Sequence, residues 1–180
     1  MASGLVFKNE IERVMHELPY GLYIIGSREE DGEKVNGMMA DWVMQVSFEP
    51  RLVAVAFEGD SHTLANVRAH KFFTVNLLSQ DEESMELARR FAQPYSGEKI
   101  KGRGGPEATA VHYKLDGLSY GVTDNGCPVL EGAMAWFECQ AEEFVPMGDH
   151  IVAVGRVLDG ALVREAEPLT STYTGWTYSG

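Results

Sequence analysis

Cysteine is almost missing from this chain: Cys127 and Cys139 are its only two among 180 residues. That rules out a disulfide-built scaffold, and their spacing matches neither a redox pair nor a zinc knuckle. Both read as inert, reduced thiols that behave as small apolar side chains. Basic residues are also scarce, 15 against 27 acidic for a net charge of −12, and they are scattered along the chain. A phosphate backbone would be repelled, which excludes a nucleic-acid partner. No apolar run approaches membrane-spanning length, so no membrane partner is expected. Met1 to Lys8 shows no basic segment leading into an apolar core and cleavage site, which predicts a cytoplasmic protein. Internal repeats, low-complexity tracts, linkers and glycine-rich phosphate-loop motifs are absent too. Against these absences stand an ordinary globular share of hydrophobic residues, 44%, and of charged ones, 23%. A chain this long buries a core as one domain, expected over residues 1–180.

Periodicity supplies the elements. Ile11, Val14, Met15 and Leu18 form one apolar stripe on a short helix that Pro19 stops, predicted to plug or cover a barrel end. β-branched and aromatic runs predict strands over Tyr20–Ser27, Lys34–Ala40, Trp42–Phe48, Leu52–Phe57 and Phe72–Leu78. A helix capped by Asp60 or Ser61 runs to His70, and another spans Asp81–Ala92, acidic at its start and basic at its end. Gln93–Asp116, with Gly102-Arg103-Gly104-Gly105-Pro106, reads as a long surface loop. Late strands are predicted over Ala133–Val145, Ile151–Leu158 and Ala161–Arg164, the last two joined by an Asp159-Gly160 hairpin. An aromatic tail, Tyr173-Thr174-Gly175-Trp176-Thr177-Tyr178, closes the chain and is a candidate to reach a partner subunit. Many strands with few helices predict a mainly β fold with a closed barrel.

Three segments carry possible chemistry. Asn36 to Pro50 sets small and polar residues between two strands, with Ala40 before Trp42. It is either an ordinary hairpin over a buried Trp or a place where backbone groups approach a flat ring. Gly59-Asp60-Ser61-His62-Thr63-Leu64-Ala65-Asn66 sets hydroxyls and an imidazole at a helix start. There a cap suffices on its own, and an anion site is the alternative. Gly148-Asp149-His150-Ile151 places a His at a strand entrance, where surface or capping roles are common. His16, His70 and His112 share no spacing with carboxylates or thiols that would suit a metal, and none is assigned. No nucleophile elbow supports a hydrolase.

The Gln45-Val46-Ser47-Phe48-Glu49-Pro50 run after Trp42 resembles the signature of the flavin reductase-like family, whose fold is the FMN-binding split β-barrel. Leu18 to Ile25, Leu52 to Ala56 and Phe72 to Leu78 resemble the same family in the same order, over about Leu18 to Val157. Arg90-Phe91-Ala92 and Asn125 to Cys139 are most similar to the flavin reductase modules of cyanobacterial diflavin proteins. The resemblance implies that Met38, Met39, Ala40, Asp41 and Trp42 bind the flavin ring edge, and that Gln45 and Ser47 bind ring or ribityl groups. It also implies Glu58 at the cofactor, and Ser61, His62, Thr63 and Asn66 at the phosphate. Phe91 and His150 border the nicotinamide, with His150 as the candidate catalytic residue. Asp41 stands where the family usually has Ser, and a carboxylate there would disfavour an anionic reduced flavin.

The implied function is an NAD(P)H-dependent flavin reductase, a homodimer using FMN, or FAD, with NADH or NADPH as donor. Electrons pass on to free flavin, ferric iron or a partner protein. The rival is an FMN-binding electron-transfer protein reduced by a protein partner without direct use of a nicotinamide.

Overall fold

The computed structural model describes residues 7–32, 34–93 and 113–176. Most of the expected loop, including its Gly102 to Pro106 stretch, and the tail beyond Trp176 lie outside them.

Chain order is α1 (Glu10–His16), β1 (Tyr23–Arg28), β2 (Val35–Ala40), β3 (Val43–Phe48), β4 (Arg51–Glu58) and α2 (His62–His70). There follow β5 (Phe72–Leu77), α3 (Glu82–Phe91), β6 (Tyr120–Val122), β7 (Pro128–Leu130), β8 (Ala135–Met147), β9 (His150–Leu162) and α4 (Ser171–Thr174). Seven strands form one antiparallel sheet in the order β2-β1-β5-β8-β9-β4-β3, and β6 pairs β7 separately.

The two outer strands of the large sheet, β2 and β3, are separated in the chain only by Asp41 and Trp42. Three peptide links span at most about 11 Å, whereas a flat seven-stranded sheet is about 29 Å wide. The sheet must therefore curl until its edges meet at this corner. No hydrogen-bonded ladder joins them, so the expected closed barrel is corrected to one that is split between β2 and β3.

Inside the curl, Ile25, Val53, Val55, Phe57, Phe73, Val75 and Ala153 form one core. Ile24, Leu78, Leu87, Ala88, Phe91 and Leu130 form a second, under α3. Neighbouring Ile24 and Ile25 feed opposite cores because side chains on a strand alternate, which makes β1 a wall shared by both. The inner core is plugged by α2, whose Leu64 and Val67 are fully buried. The expectation that α1 plugs the barrel fails. None of its residues is buried: Ile11 and Val14 stay 75% and 65% exposed, and Leu18, the last residue of the stripe, falls beyond the helix end at His16.

Nor is Asp159-Gly160 a hairpin. β9 runs through it unbroken to Leu162, absorbing the separately expected strand at Ala161. A Cβ on Gly160 would lie 2.7 Å from the Trp136 carbonyl oxygen and 2.9 Å from Phe137 Cβ, so this glycine allows close strand approach beside a register shift. The turn is Gly148-Asp149, between the paired Met147 and His150, with Gly148 at φ +66, as the first central position of a type II′ turn requires. β6, β7 and α4 were not foreseen. In the aromatic tail, Trp176 packs against this chain's own second core.

Candidate functional site

The β2–β3 corner sets the site. Met38 and Met39 are half-buried near the end of β2, Ala40 is buried, and Asp41 and Trp42 are half-buried in the connection. β2 can lie close over α3 because residue 37 is glycine: a Cβ there would meet the Ile25 carbonyl oxygen at 2.6 Å and the Phe91 ring at 3.1 Å. Phe91 is thus a support beneath β2, 1% exposed, and not an open surface.

α2 arrives beside this corner. Ser61 is its N-cap, accepting from the Leu64 N–H at 3.5 Å, while its Oγ lies 3.6 Å from Met38 Sδ. The strand expected to face a ring and the helix start expected to face a phosphate are therefore side by side. Thr63 and Asn66 are buried, and His62 is half-buried. The His62 Nε2 and Asn66 Nδ2 groups meet the carboxylate of Glu29, at 2.6 and 3.3 Å, and Asn66 also donates to Ser27 Oγ. Sequence reasoning missed Glu29. It follows β1 in an acidic run that looks like a solvated turn, and only the fold carries it against α2.

Beside the same corner, His150 opens β9 opposite Glu58, the last residue of β4. Its ring lies 4.8 Å from that of Trp42, which in turn is 6.5 Å from Tyr20. Tilted aromatic contacts of this kind contribute about 1 kcal/mol each beyond burial. The His150 Nδ1 group meets Asp149 Oδ1 at 2.7 Å, an interaction that holds the Asp149 carboxyl below its ordinary range. Gln45 and Ser47 stand apart from this cluster, farther along β3. Gln45 is exposed, donates to the Ser47 carbonyl at 3.1 Å and flanks a register shift against β4.

The pattern is a curled antiparallel sheet whose split edge is flanked by a helix start and an aromatic–imidazole pair. Residues 15–177 match the flavin reductase like domain. The chain belongs to the flavin reductase-like family. Among curated relatives, this flavin reductase-like chain is 30% identical to a ferric-chelate reductase (NAD(P)H) of Archaeoglobus fulgidus, covering 86% of this chain and 83% of the relative. It is 28% identical to a high molecular weight rubredoxin of Moorella thermoacetica, with 89% of this chain matched but only 64% of the relative. It is 27% identical to a diflavin flavoprotein of Synechocystis, with 92% of this chain matched and 26% of the relative. Against the solved flavin reductase HpaC in complex with NADP+ the TM-score is 0.70 at 25% identity, covering 89% of this chain and 90% of that one. The mainly β split-barrel fold and the family expected from the sequence are thus borne out.

No helix among the described residues is long and apolar enough to cross a membrane. No cluster of three or more metal-ligating side chains is present among them.

Proposed function

We propose that this chain is an NAD(P)H-dependent flavin reductase that binds FMN in the notch between the β2–β3 corner and the start of α2. The observation that carries the proposal is the 3.6 Å approach of Ser61 Oγ to Met38 Sδ, in a chain of this family. It puts a small-residue strand end and a helix N-terminus within one cofactor's reach. The donor set fits: backbone N–H groups and hydroxyls at a helix start suit a phosphate, which accepts hydrogen bonds.

In this reading the backbone of Met38 to Trp42 holds the ring edge with Glu58 beside it, and Gln45 and Ser47, farther along β3, serve the outer part of the cofactor. Ser61, Thr63, His62 and Asn66 serve the phosphate end. Bound flavin supplies the hydride-accepting chemistry, and the chain's own groups supply orientation. Trp42 fixes the plane of His150, and Asp149 fixes the ring's tautomer by holding Nδ1. His150 then presents a defined face to NADH or NADPH, while Phe91 supports β2 from below. Asp41 adds a negative charge at the corner that opposes build-up of negative charge on the ring.

A homodimer belongs to the same proposal. Met44, Val46 and Phe48 lie exposed on the edge strand β3, Phe48 at 86%, and a second copy would cover such an edge. Residues 1–180 act as one unit in the cytoplasm, where a nicotinamide donor is at hand, and free flavin, ferric iron or a partner protein takes the electrons. A second reading, electron transfer from a protein partner, draws on the rubredoxin and diflavin relatives, in which this chain matches only part of the length. Titration with FMN, followed by the quenching of flavin fluorescence, tests the shared premise. Saturable one-per-chain binding is expected, and a protein that takes up no flavin would refute both readings.

A further inference from the structure

Glu29 occupies a place that the flavin reading does not explain. Its side chain is 8% exposed, and one carboxylate oxygen, Oε2, takes the donors of both His62 and Asn66. The other, Oε1, is buried with no hydrogen-bond partner. The residue is not free to swing away. Its N–H donates to the Lys34 carbonyl at 2.8 Å, and its own carbonyl accepts from the Gly32 N–H and meets His70 Nε2, each at 2.8 Å. A fixed, buried carboxylate thus lies along the first two turns of α2, where the helix dipole stabilises an anion. Glu30 and Asp31 line the adjoining cleft with Lys34 and Tyr113 and add acidic character to it.

We propose that Glu29 is an internal competitor for the phosphate end of the flavin site: an affinity-setting residue that keeps bound flavin exchangeable. The inference rests on the flavin reading above and sharpens it. A phosphate at the start of α2 meets His62 and Asn66 already engaged, and its dianion faces a neighbouring carboxylate that low local dielectric does little to screen. The phosphate group therefore adds little to binding, and flavin behaves as a substrate that comes and goes between turnovers.

The test compares FMN with riboflavin, which has the same ring and no phosphate, by fluorescence titration of each. The wild-type chain should bind FMN at most about tenfold more tightly than riboflavin; hydrogen bonds to a charged group would otherwise contribute about a hundredfold or more. Glu29→Gln keeps the shape and removes the charge, and should raise FMN affinity by about tenfold with riboflavin affinity unchanged. A wild-type preference for FMN of about a thousandfold, or a Glu29→Gln variant that leaves FMN affinity unchanged or raises both affinities together, overturns the competitor role while leaving flavin binding intact. If the variant does not fold, the wild-type ratio decides alone. Wild-type protein that binds neither flavin overturns the flavin reading itself.

Discussion

Replacing Ser61 separates a helix cap from a phosphate ligand. Its Oγ accepts from the Leu64 N–H at 3.5 Å, the long end of hydrogen-bond geometry, so Ser61→Ala should cost about 0.5 kcal/mol of stability, the low end of cap losses. For a chain of this size that lowers Tm by about 1–2 °C. If the hydroxyl also serves the flavin phosphate, the same change removes a hydrogen bond to a charged group and weakens FMN by about tenfold, the low end for such bonds, which brings it down to the affinity of riboflavin. Ser61→Asp sharpens the contrast, because Asp caps as well as Ser yet sets a like charge against the phosphate. It should keep or raise Tm and lose FMN while riboflavin binding persists. Thermal melts and fluorescence titrations of wild type and both variants are enough. Ser61→Asp binding FMN as wild type does would refute the placement of the phosphate at this helix start.

His150→Phe keeps an aromatic ring against Trp42, so FMN affinity should hold while kcat/KM for the nicotinamide falls by about tenfold, or about 1.4 kcal/mol of transition-state stabilisation; equal loss of FMN affinity would move His150 to the flavin side. Gly160→Asn should destabilise by about 1–3 kcal/mol, read from a denaturant melt, because a Cβ there strikes the Trp136 carbonyl; a harmless Asn would restore the hairpin reading. Burial, reinforced by the nearby Glu138 carboxylate, pushes the Cys127 and Cys139 thiols up to about 12. Both should resist a disulfide-exchange reagent in the native protein and react once it is unfolded. Because folding keeps these thiols protonated, their contribution to stability is full below the ordinary thiol value of 9.0 and is lost as pH rises towards 12, which melts across the alkaline range will follow.

Most of the fold was legible because its strands are long and β-branched and its helices carry caps: Ser61 and Asp81 cap where their sequence context says they should. The errors have local physical causes. Asp159-Gly160 has turn composition, but its glycine serves close strand contact, a demand set by Trp136 and Phe137 across the sheet. The stripe of α1 has the right period but stays exposed among the described residues. β6 and β7 are three residues each, too short for alternation to register. Of the candidate site, the corner from Met38 to Trp42 and the start of α2 were legible as motifs, and the structure brings them together. The proximity of Trp42 to His150 was not legible, since residues far apart in the chain meet only through the curl of the sheet. Glu29 was invisible for the same reason.

As the proposed reductase, this chain itself accepts reducing equivalents from a nicotinamide and places them on flavin. Anaerobic rapid mixing of the FMN-loaded protein with NADH, and separately with NADPH, tests that role most directly by following the visible absorption band of oxidised flavin. The band should bleach with at least one of the two donors, far faster than free FMN at the same concentrations. A band that persists with both, in protein shown to hold FMN, would contradict that role and leave electron transfer from a protein partner as the function.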